Sequence, residues 1–368
     1  MSKYKPFVTL GPGDTIKEEL EFYGWDQKDL ADVMGGTGKH VSDLVNNKAP
    51  ITFDTACCLS EIFKQSPQFW INLDTQYRLR LQESAQSEDT ATRALLYRYM
   101  PIREMKRRNL LPEPLSDLIA AVKSFWNIDN LNFGFIEAKA KAMFRKSESF
   151  TQFNAYFAIT WLRLSQVLAE KNADKTKYNA EKLRLLTDDI CDFTIKENGI
   201  PKFIEALKEC GVIFIYLPHF EKTYIDGAVF FHNDNPVLVY TARHNRNDNF
   251  WFTVAHELGH IILHRDHKQF IDNMDDIDTT SDCEAEADRF ARKILKLDEI
   301  ARFFRKVQNP SLLKVNQCSE VFEINEALIV GTLQHNQKLS YSTRLNRLKE
   351  PVRDTLEPLA LGNEGIFG

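Results

Sequence analysis

The stretch FWFTVAHELGHIILH, residues 250–264, decides how the C-terminal half of this 368-residue chain is read. Three histidines recur at intervals of four, His256, His260 and His264, inside a run that is otherwise almost wholly apolar. Positions four apart on a helix project from one face about one turn apart, so His256 and His260 can reach a single metal ion. Zinc accepts imidazole nitrogen at about 2.0–2.1 Å, which suits that separation. Glu257 flanks the pair, where a carboxylate can hold a water and take its proton. Gly259 lets another element approach closely. An apolar core helix carrying incidental imidazoles is the plain alternative. Phe250, Trp251, Phe252, Val254, Leu258, Ile261, Ile262 and Leu263 make the helix apolar on nearly every side, however, so the polar residues are expected to be buried. Buried polar groups without partners cost free energy on the kcal/mol scale, and a metal would satisfy these.

A zinc site needs a third protein ligand and one open position. About two dozen residues downstream the sequence reads SDCEAEADRFARKIL, in which Glu284, Asp288 and Ala291 share a helical face. Glu284 is assigned as the third ligand and Asp288 as the carboxylate that orients a ligand histidine. Glu286 is the fallback ligand and Cys283 a possible soft one. His264 is excluded as a ligand, because four more residues add about 6 Å of axial rise. It is expected to cap the helix or to meet substrate. Seven of the nine histidines fall between 219 and 267. Of the groups in this region, His232, Tyr240 and His244, near the expected strand edge, could polarise a scissile carbonyl.

The surroundings of this helix read as a small sheet with helices. VIFIYLP (212–218), GAVFF (227–231) and PVLVY (236–240) are short, β-branched or aromatic runs bounded by turn residues. Upstream, from Ala94 to about Lys196, apolar residues recur at three and four, which predicts helices throughout. The fold class expected is mainly α with a small β-sheet, α+β. Boundaries are placed at 1–83 for an N-terminal five-helix-type domain, 84–198 for a helical support region, 199–310 for the sheet and metal helix, and 311–368 for a C-terminal helical extension.

Residues 201 to about 300 resemble the ImmA/IrrE family of zinc metallopeptidases, through FTVAHELGHIILH, the GAVFF and PVLVY strands, and EAEADRFA. Asp288 stands where that family usually has Asn, and ARKILKLDEI replaces its apolar ending with proline. The resemblance implies a zincin-like fold, one Zn²⁺ per chain, and proteolysis of a regulatory protein. The helices containing AMFR and AITWLRL also look like those found where this peptidase is joined to an XRE domain.

The N-terminal stretch QKDLADVMGGTGKHVSDLVNNK, residues 27–48, places Leu30, Ala31 and Met34 on one helix, Gly35 at a turn, and Val41 and Leu44 on a second. A helix-turn-helix needs this order: a small residue at the crossing, glycine in the turn, apolar anchors three apart. Gln27, Thr37, Lys39, His40, Ser42 and Asp43 are the candidate DNA-reading residues, most of them on the first half of the second helix. Residues 10–77 resemble the HigA-like antitoxin branch of the XRE family, through LGPGDTIKEELEFYGWDQKDLADVMG and KAPITFDTACCLSEIFKQSPQFWINLDTQY. The resemblance implies operator binding to double-stranded DNA. Residues 1–82 nevertheless hold nine Lys/Arg against eleven Asp/Glu, whereas phosphate contacts usually make such a domain basic. The basic run 93–108, with Arg93, Arg98, Arg103, Lys106, Arg107 and Arg108, is a supplementary candidate for those contacts.

Composition limits the alternatives. With 43% hydrophobic and 27% charged residues and a net charge of −5, the chain has an ordinary globular make-up. No apolar run reaches the roughly 18 residues of a membrane span, and the N-terminus has no signal-peptide core, so a cytoplasmic protein is expected. Six scattered cysteines without CxxC spacing argue against a disulfide framework or zinc finger. The leading reading is a DNA-binding regulator, acting as a homodimer, that carries a zinc endopeptidase directed at a repressor or a cognate toxin. A repressor or antitoxin whose metal-type domain senses or binds a partner without turnover is the second. A C-terminal half that only dimerises the protein is the third.

Overall fold

The computed structural model describes residues 10–82, 86–146, 153–172, 176–264 and 281–359. Contacts divide the chain into two compact units, Met1–Leu95 and Leu96–Gly368.

The first unit contains helices α1 (Pro12–Tyr23), α2 (Gln27–Met34), α3 (Gly38–Val45), α4 (Phe53–Phe63) and α5 (Pro67–Gln82), and α6 (Gln86–Tyr99) begins in it. Each start and stop in the helix-turn-helix has a local cause. The Asp26 carboxylate accepts from the backbone N–H of Lys28 and Asp29 at 2.7 and 2.9 Å, and Asp29 returns the favour to the Asp26 N–H at 2.8 Å. This reciprocal cap fixes the entry to α2. The helix stops at Gly35, whose φ of 63° lies in the left-handed region that glycine enters without strain. Thr37 then caps α3 by accepting from the His40 N–H at 3.3 Å. Leu30, Ala31, Val41 and Leu44 are buried together with Ile16, Leu59 and Trp70, and Met34 packs on the rim of that core. Asp74 of α5, itself buried, accepts from the Ile51 N–H at 3.2 Å and so ties the approach to α4 onto α5.

In the second unit, α7 (Ile102–Arg107), α8 (Leu115–Trp126), α9 (Gly134–Lys146), α10 (Ala155–Lys171), α11 (Ala180–Asp188), α12 (Ile190–Ile195) and α13 (Gly199–Glu209) precede the sheet. Strands β1 (Ile213–Tyr216), β2 (Gly227–His232) and β3 (Asn235–Tyr240) follow in the spatial order β1-β3-β2. Strand β1 runs parallel to β3 from Ile213 opposite Val237 to Tyr216 opposite Tyr240. Strands β2 and β3 form an antiparallel hairpin, from Gly227 opposite Tyr240 to His232 opposite Asn235. Asn233, with a φ of 54°, turns the chain between them. After the sheet come α14 (Asn247–Leu263), α15 (Ser281–Ile294), α16 (Leu297–Phe303), α17 (Leu312–Phe322) and α18 (Glu326–His335). The fold is mainly helical with a small mixed sheet, α+β, as the hydrophobic patterning predicts.

Helix α14 lies against β2 and β3. Its Phe250, Trp251, Val254, Ala255, Leu258 and Ile261 are buried in a core that also takes in Leu183, Phe203, Tyr240, Ala291, Val315, Ile329 and Leu356. The helices on either side of the sheet in sequence thus share one core with it. The end of the chain also fastens the start of α14. Lys349 and Asp248 form a buried ion pair at 2.6 Å, and the Asn245 side chain accepts from the N–H groups of Val352 and Arg353 at 2.8 and 2.9 Å. Among the described residues no helix is long and apolar enough to cross a membrane.

Candidate metal centre

Helix α15 packs against α14 at a point where any side chain would crowd its neighbour. A Cβ placed on Gly259 would lie 3.0 Å from the Ala287 Cα. Close approach at this glycine carries Glu284, one turn before Ala287, over the histidine face of α14. His256, His260 and Glu284 there form a group whose candidate ligand atoms all lie within 4.8 Å of one another, and it is the one such group among the described residues.

The separations within this group fit a metal ion. His256 Nε2 and His260 Nε2 are 3.0 Å apart. The Glu284 oxygens lie 3.2 Å from His256 Nε2 and 3.5 Å from His260 Nε2. Ligands placed tetrahedrally at zinc bond lengths stand about 3.3 Å from one another. The charge balance agrees. Burial disfavours a charge on His256, yet the Glu284, Glu257 and Asp288 carboxylates outweigh it and push the ring up to about 9. Hydrogen bonds from His256 and His260 hold the Glu284 carboxyl far below the usual carboxylate range, against an opposing contribution from burial. The site holds protons where a cation would sit, so a metal ion would displace them on binding.

The Nδ1 atoms of the two rings are held from the other side. His256 Nδ1 is 2.8 Å from Asp288 Oδ1. His260 Nδ1 is 3.2 Å from His264 Nδ1, and His264 Nε2 is 3.0 Å from Glu286 Oε2. His264, only 3% exposed, therefore touches a ligand ring, an arrangement that exclusion on axial rise did not anticipate. Its backbone N–H also donates to the His260 carbonyl at the end of α14. Cys283 and Glu286 lie outside the ligand group.

Glu257 is buried against the first residue of β2. A Cβ on Gly227 would stand 2.7 Å from Glu257 Oε1. Burial pushes the Glu257 carboxyl up to about 7, with His256 and His260 opposing the rise. Gly227 is fixed in turn by its neighbour Asp226, whose carboxylate takes a two-pronged contact from Arg243 at 2.9 and 2.7 Å. No pattern in the sequence pointed to Gly227. The signal available was a glycine opening a strand that runs toward an HExxH helix.

The three carbonyl-polarising candidates separate. Tyr240 is a correction: it lies on β3, the central strand and not an edge, is fully buried, and donates its hydroxyl to Asn249 Oδ1 at 3.3 Å. Burial pushes that hydroxyl well above the ordinary tyrosine value. His232 closes β2 at the end remote from Gly227, five residues or about 17 Å along the strand. His244 sits 4.0 Å from Asp226 Oδ1, on the Gly227 side, and burial lowers its affinity for a proton. Beside Asp288, a cavity of about 330 Å³ lined by Arg246, Asn249, Phe252, Thr332 and Tyr341 continues the same face of α14.

In the first unit, Gln27, Thr37 and Lys39 are exposed, and His40, Ser42 and Asp43 are half-buried. The Thr37 hydroxyl oxygen and the Asp43 carbonyl are used within the motif, the latter accepting from the N–H groups of Lys48 and Ala49 at 2.8 and 3.1 Å. The basic run is largely committed elsewhere. Arg108 donates to the carbonyls of Pro218 and His219 at 2.8 and 2.6 Å, Lys106 pairs with Glu113 at 2.9 Å, and Arg107 lies 3.8 and 3.9 Å from Glu104 and Glu221. These contacts engage Arg108, Lys106 and Arg107, while Arg93, Arg98, Arg103 and Arg107 remain exposed. The acidic residues Asp272, Asp275, Asp276 and Asp278, and His267, lie outside the described residues.

Comparison with known proteins bears on both units. A protein-family model described as the IrrE N-terminal-like domain, Peptidase M78, matches residues 209–329. An uncharacterized HTH-type transcriptional regulator of Haemophilus influenzae is 35% identical over 68 residues, which make up 18% of this chain and 64% of that protein. The uncharacterized HTH-type transcriptional regulator YddM of Escherichia coli is 34% identical over 68 residues, 18% of this chain and 72% of that one. The chain thus belongs among the HTH-type transcriptional regulators through its N-terminal part and carries an IrrE N-terminal-like domain of the M78 peptidase family behind it.

Proposed function

We propose that this chain is an antitoxin-like DNA-binding transcriptional regulator whose second unit is a zinc-dependent endopeptidase acting on a regulatory protein. The observation that carries the peptidase reading is the triangle of His256 Nε2, His260 Nε2 and Glu284, with sides of 3.0, 3.2 and 3.5 Å. These three residues would hold one Zn²⁺, and zinc, when bound, supplies Lewis acidity toward a carbonyl oxygen and makes a nearby water more acidic. Glu257 acts as the general base, a buried carboxyl next to ligand His256 on α14, where it can take a proton from a water at the ion. It takes one proton from the attacking water as the new C–O bond forms. It then gives that proton to the departing amide nitrogen as the C–N bond breaks, releasing a carboxylic acid and an amine, and the acid passes its proton to the amine to leave a carboxylate and an ammonium group. Asp288 orients His256. His244, on the Glu257 side of the sheet, is the remaining candidate for the substrate carbonyl, and the cavity beside Asp288 offers room for a substrate side chain.

For the N-terminal unit the exposed and half-exposed positions Gln27, Thr37, Lys39, His40, Ser42 and Asp43 are the proposed operator-reading surface, used by a homodimer on a two-fold site in the cytoplasm. Residues 1–83 would carry DNA binding and 199–310 peptidase function, with 84–198 and 311–368 supporting the latter.

The test uses the full chain, candidate repressors or a cognate toxin as substrate, and arms with and without chelator. Glu257→Gln should lower cleavage by about 10²–10⁴-fold while zinc content stays at the wild-type level. Unchanged cleavage, or loss of zinc, overturns the role given to Glu257. A chain that binds zinc and DNA but cleaves none of these proteins is the non-catalytic regulator instead.

A further inference from the structure

The two histidines of the triangle are supported differently. His256 leans on a carboxylate, Asp288, as metal-ligating imidazoles usually do. On its Nδ1 side His260 leans on a second imidazole, and the Glu286 carboxylate stands at the far side of that ring. Between His260 Nδ1 and His264 Nδ1, at 3.2 Å, one nitrogen must carry the hydrogen and the other must offer a lone pair. A carboxylate oxygen accepts, so Glu286 Oε2 at 3.0 Å calls for a hydrogen on His264 Nε2, the single hydrogen of a ring that ligates or relays through its other nitrogen. His264 Nδ1 is then the acceptor, and His260 must carry its own hydrogen on Nδ1. That leaves His260 Nε2 to offer its lone pair to an ion held with His256 Nε2 and Glu284, once that ion has displaced the proton His260 shares with Glu284 in the metal-free site. The opposite orientation would put the His260 hydrogen on Nε2 and block it as a ligand.

We infer that Glu286 and His264 are positioning residues, a two-step relay that selects the Nε2-ligating tautomer of His260 from outside the ligand group. The relay rests on the zinc reading of the site. It explains why His264, too far along the axis to bind the ion itself, is nevertheless buried to 3% exposure on the same stripe of α14. It also gives Glu286 a function other than that of a substitute ligand. The Glu286 carboxylate reaches His264 from α15, two residues beyond Glu284 on the same helix.

The test measures Zn²⁺ affinity of the full-length protein by competition with a chromogenic chelator, with no substrate present. Glu286→Gln is the primary variant, because Glu286 is about half exposed and its loss leaves the core intact. It should weaken Zn²⁺ binding about 10–100-fold, the usual cost of removing such a supporting group. His264→Phe should do the same, and the double variant should be no weaker than His264→Phe alone, since both break one chain. Nitrogen-15 NMR of the zinc-loaded protein should find His264 as the Nε2–H tautomer in the wild type and lose that selection in Glu286→Gln. Wild-type affinity in Glu286→Gln with an unchanged His264 tautomer overturns the relay and leaves the zinc site standing. Absence of Zn²⁺ binding by the wild type overturns the zinc reading and the relay with it.

Discussion

Helices α3 and α14 both carry histidine and both belong to motifs recognisable by spacing, yet they present their polar residues in opposite ways. On α3 and its cap the polar positions are exposed or half-exposed, and their backbone and hydroxyl contacts stay within the motif. On α14, His256, His260 and His264 are each engaged by a named group on the same helix or on α15. Burial makes the difference. A polar group removed from water must find a partner, so each polar residue of α14 constrains what surrounds it, whereas an exposed polar residue on α3 constrains little around it.

That contrast can be broken or sharpened by substitution. In the first unit the apolar anchors, not the polar residues, should carry the stability. Leu44→Ala, at a fully buried position, is expected to cost about 2–5 kcal/mol in chemical denaturation. In the second unit a polar residue should show up in stability as well. Burial raises the Glu257 carboxyl from 4.5 to about 7, so its protonated form suits the fold and its charged form does not. The contribution is fully present below pH 4.5 and is lost as pH rises through 7. Metal-free wild type should therefore fall behind metal-free Glu257→Gln over that window, by up to about 3 kcal/mol at pH 8. Denaturation curves for the two proteins that stay parallel across pH 4 to 8 would remove the buried-carboxylate account.

A subtler displacement comes from Gly227→Ala. The added methyl would meet Glu257 Oε1 at 2.7 Å and push the carboxylate aside. Cleavage should drop about tenfold or more with zinc content unchanged, since small misplacements of a catalytic group are costly. The smallest effect on stability is expected at exposed Lys39, where Lys39→Ala should change it by less than about 0.5 kcal/mol while weakening operator binding about tenfold in gel-shift titrations. A Lys39→Ala protein that unfolds readily, or binds operator as well as the wild type, would erase the contrast between the two helices.

Much of this was legible in the sequence, for physical reasons. The period of four in HELGH, set in an apolar run, announces both a buried helix and the need for a partner, and EAEAD offers a carboxylate at the right helical spacing. Gly35 marks the end of α2 through a conformational rule that acts on a single residue. Strand order was not legible. Tyr240 lies last in sequence among the strands and was expected near an edge, but β1 pairs parallel to β3 and encloses it. Pairing of that kind depends on a crossover through residues 217–226, which local pattern does not encode. The contact of His264 with His260 escaped for a related reason. The i, i+4 spacing was visible, but the Glu286 carboxylate that makes the third ring a partner and not a bystander arrives on α15, at a distance set by Gly259 against Ala287.

The central claim, that His256, His260 and Glu284 hold one metal ion, is tested most directly by elemental analysis of the full-length protein after extensive dialysis in chelator-free buffer. One zinc per chain is expected for the wild type, and Glu284→Gln, which keeps the shape of the side chain but loses its charge, should retain little or none. Wild-type protein without stoichiometric metal, or Glu284→Gln that keeps a full equivalent, would contradict it.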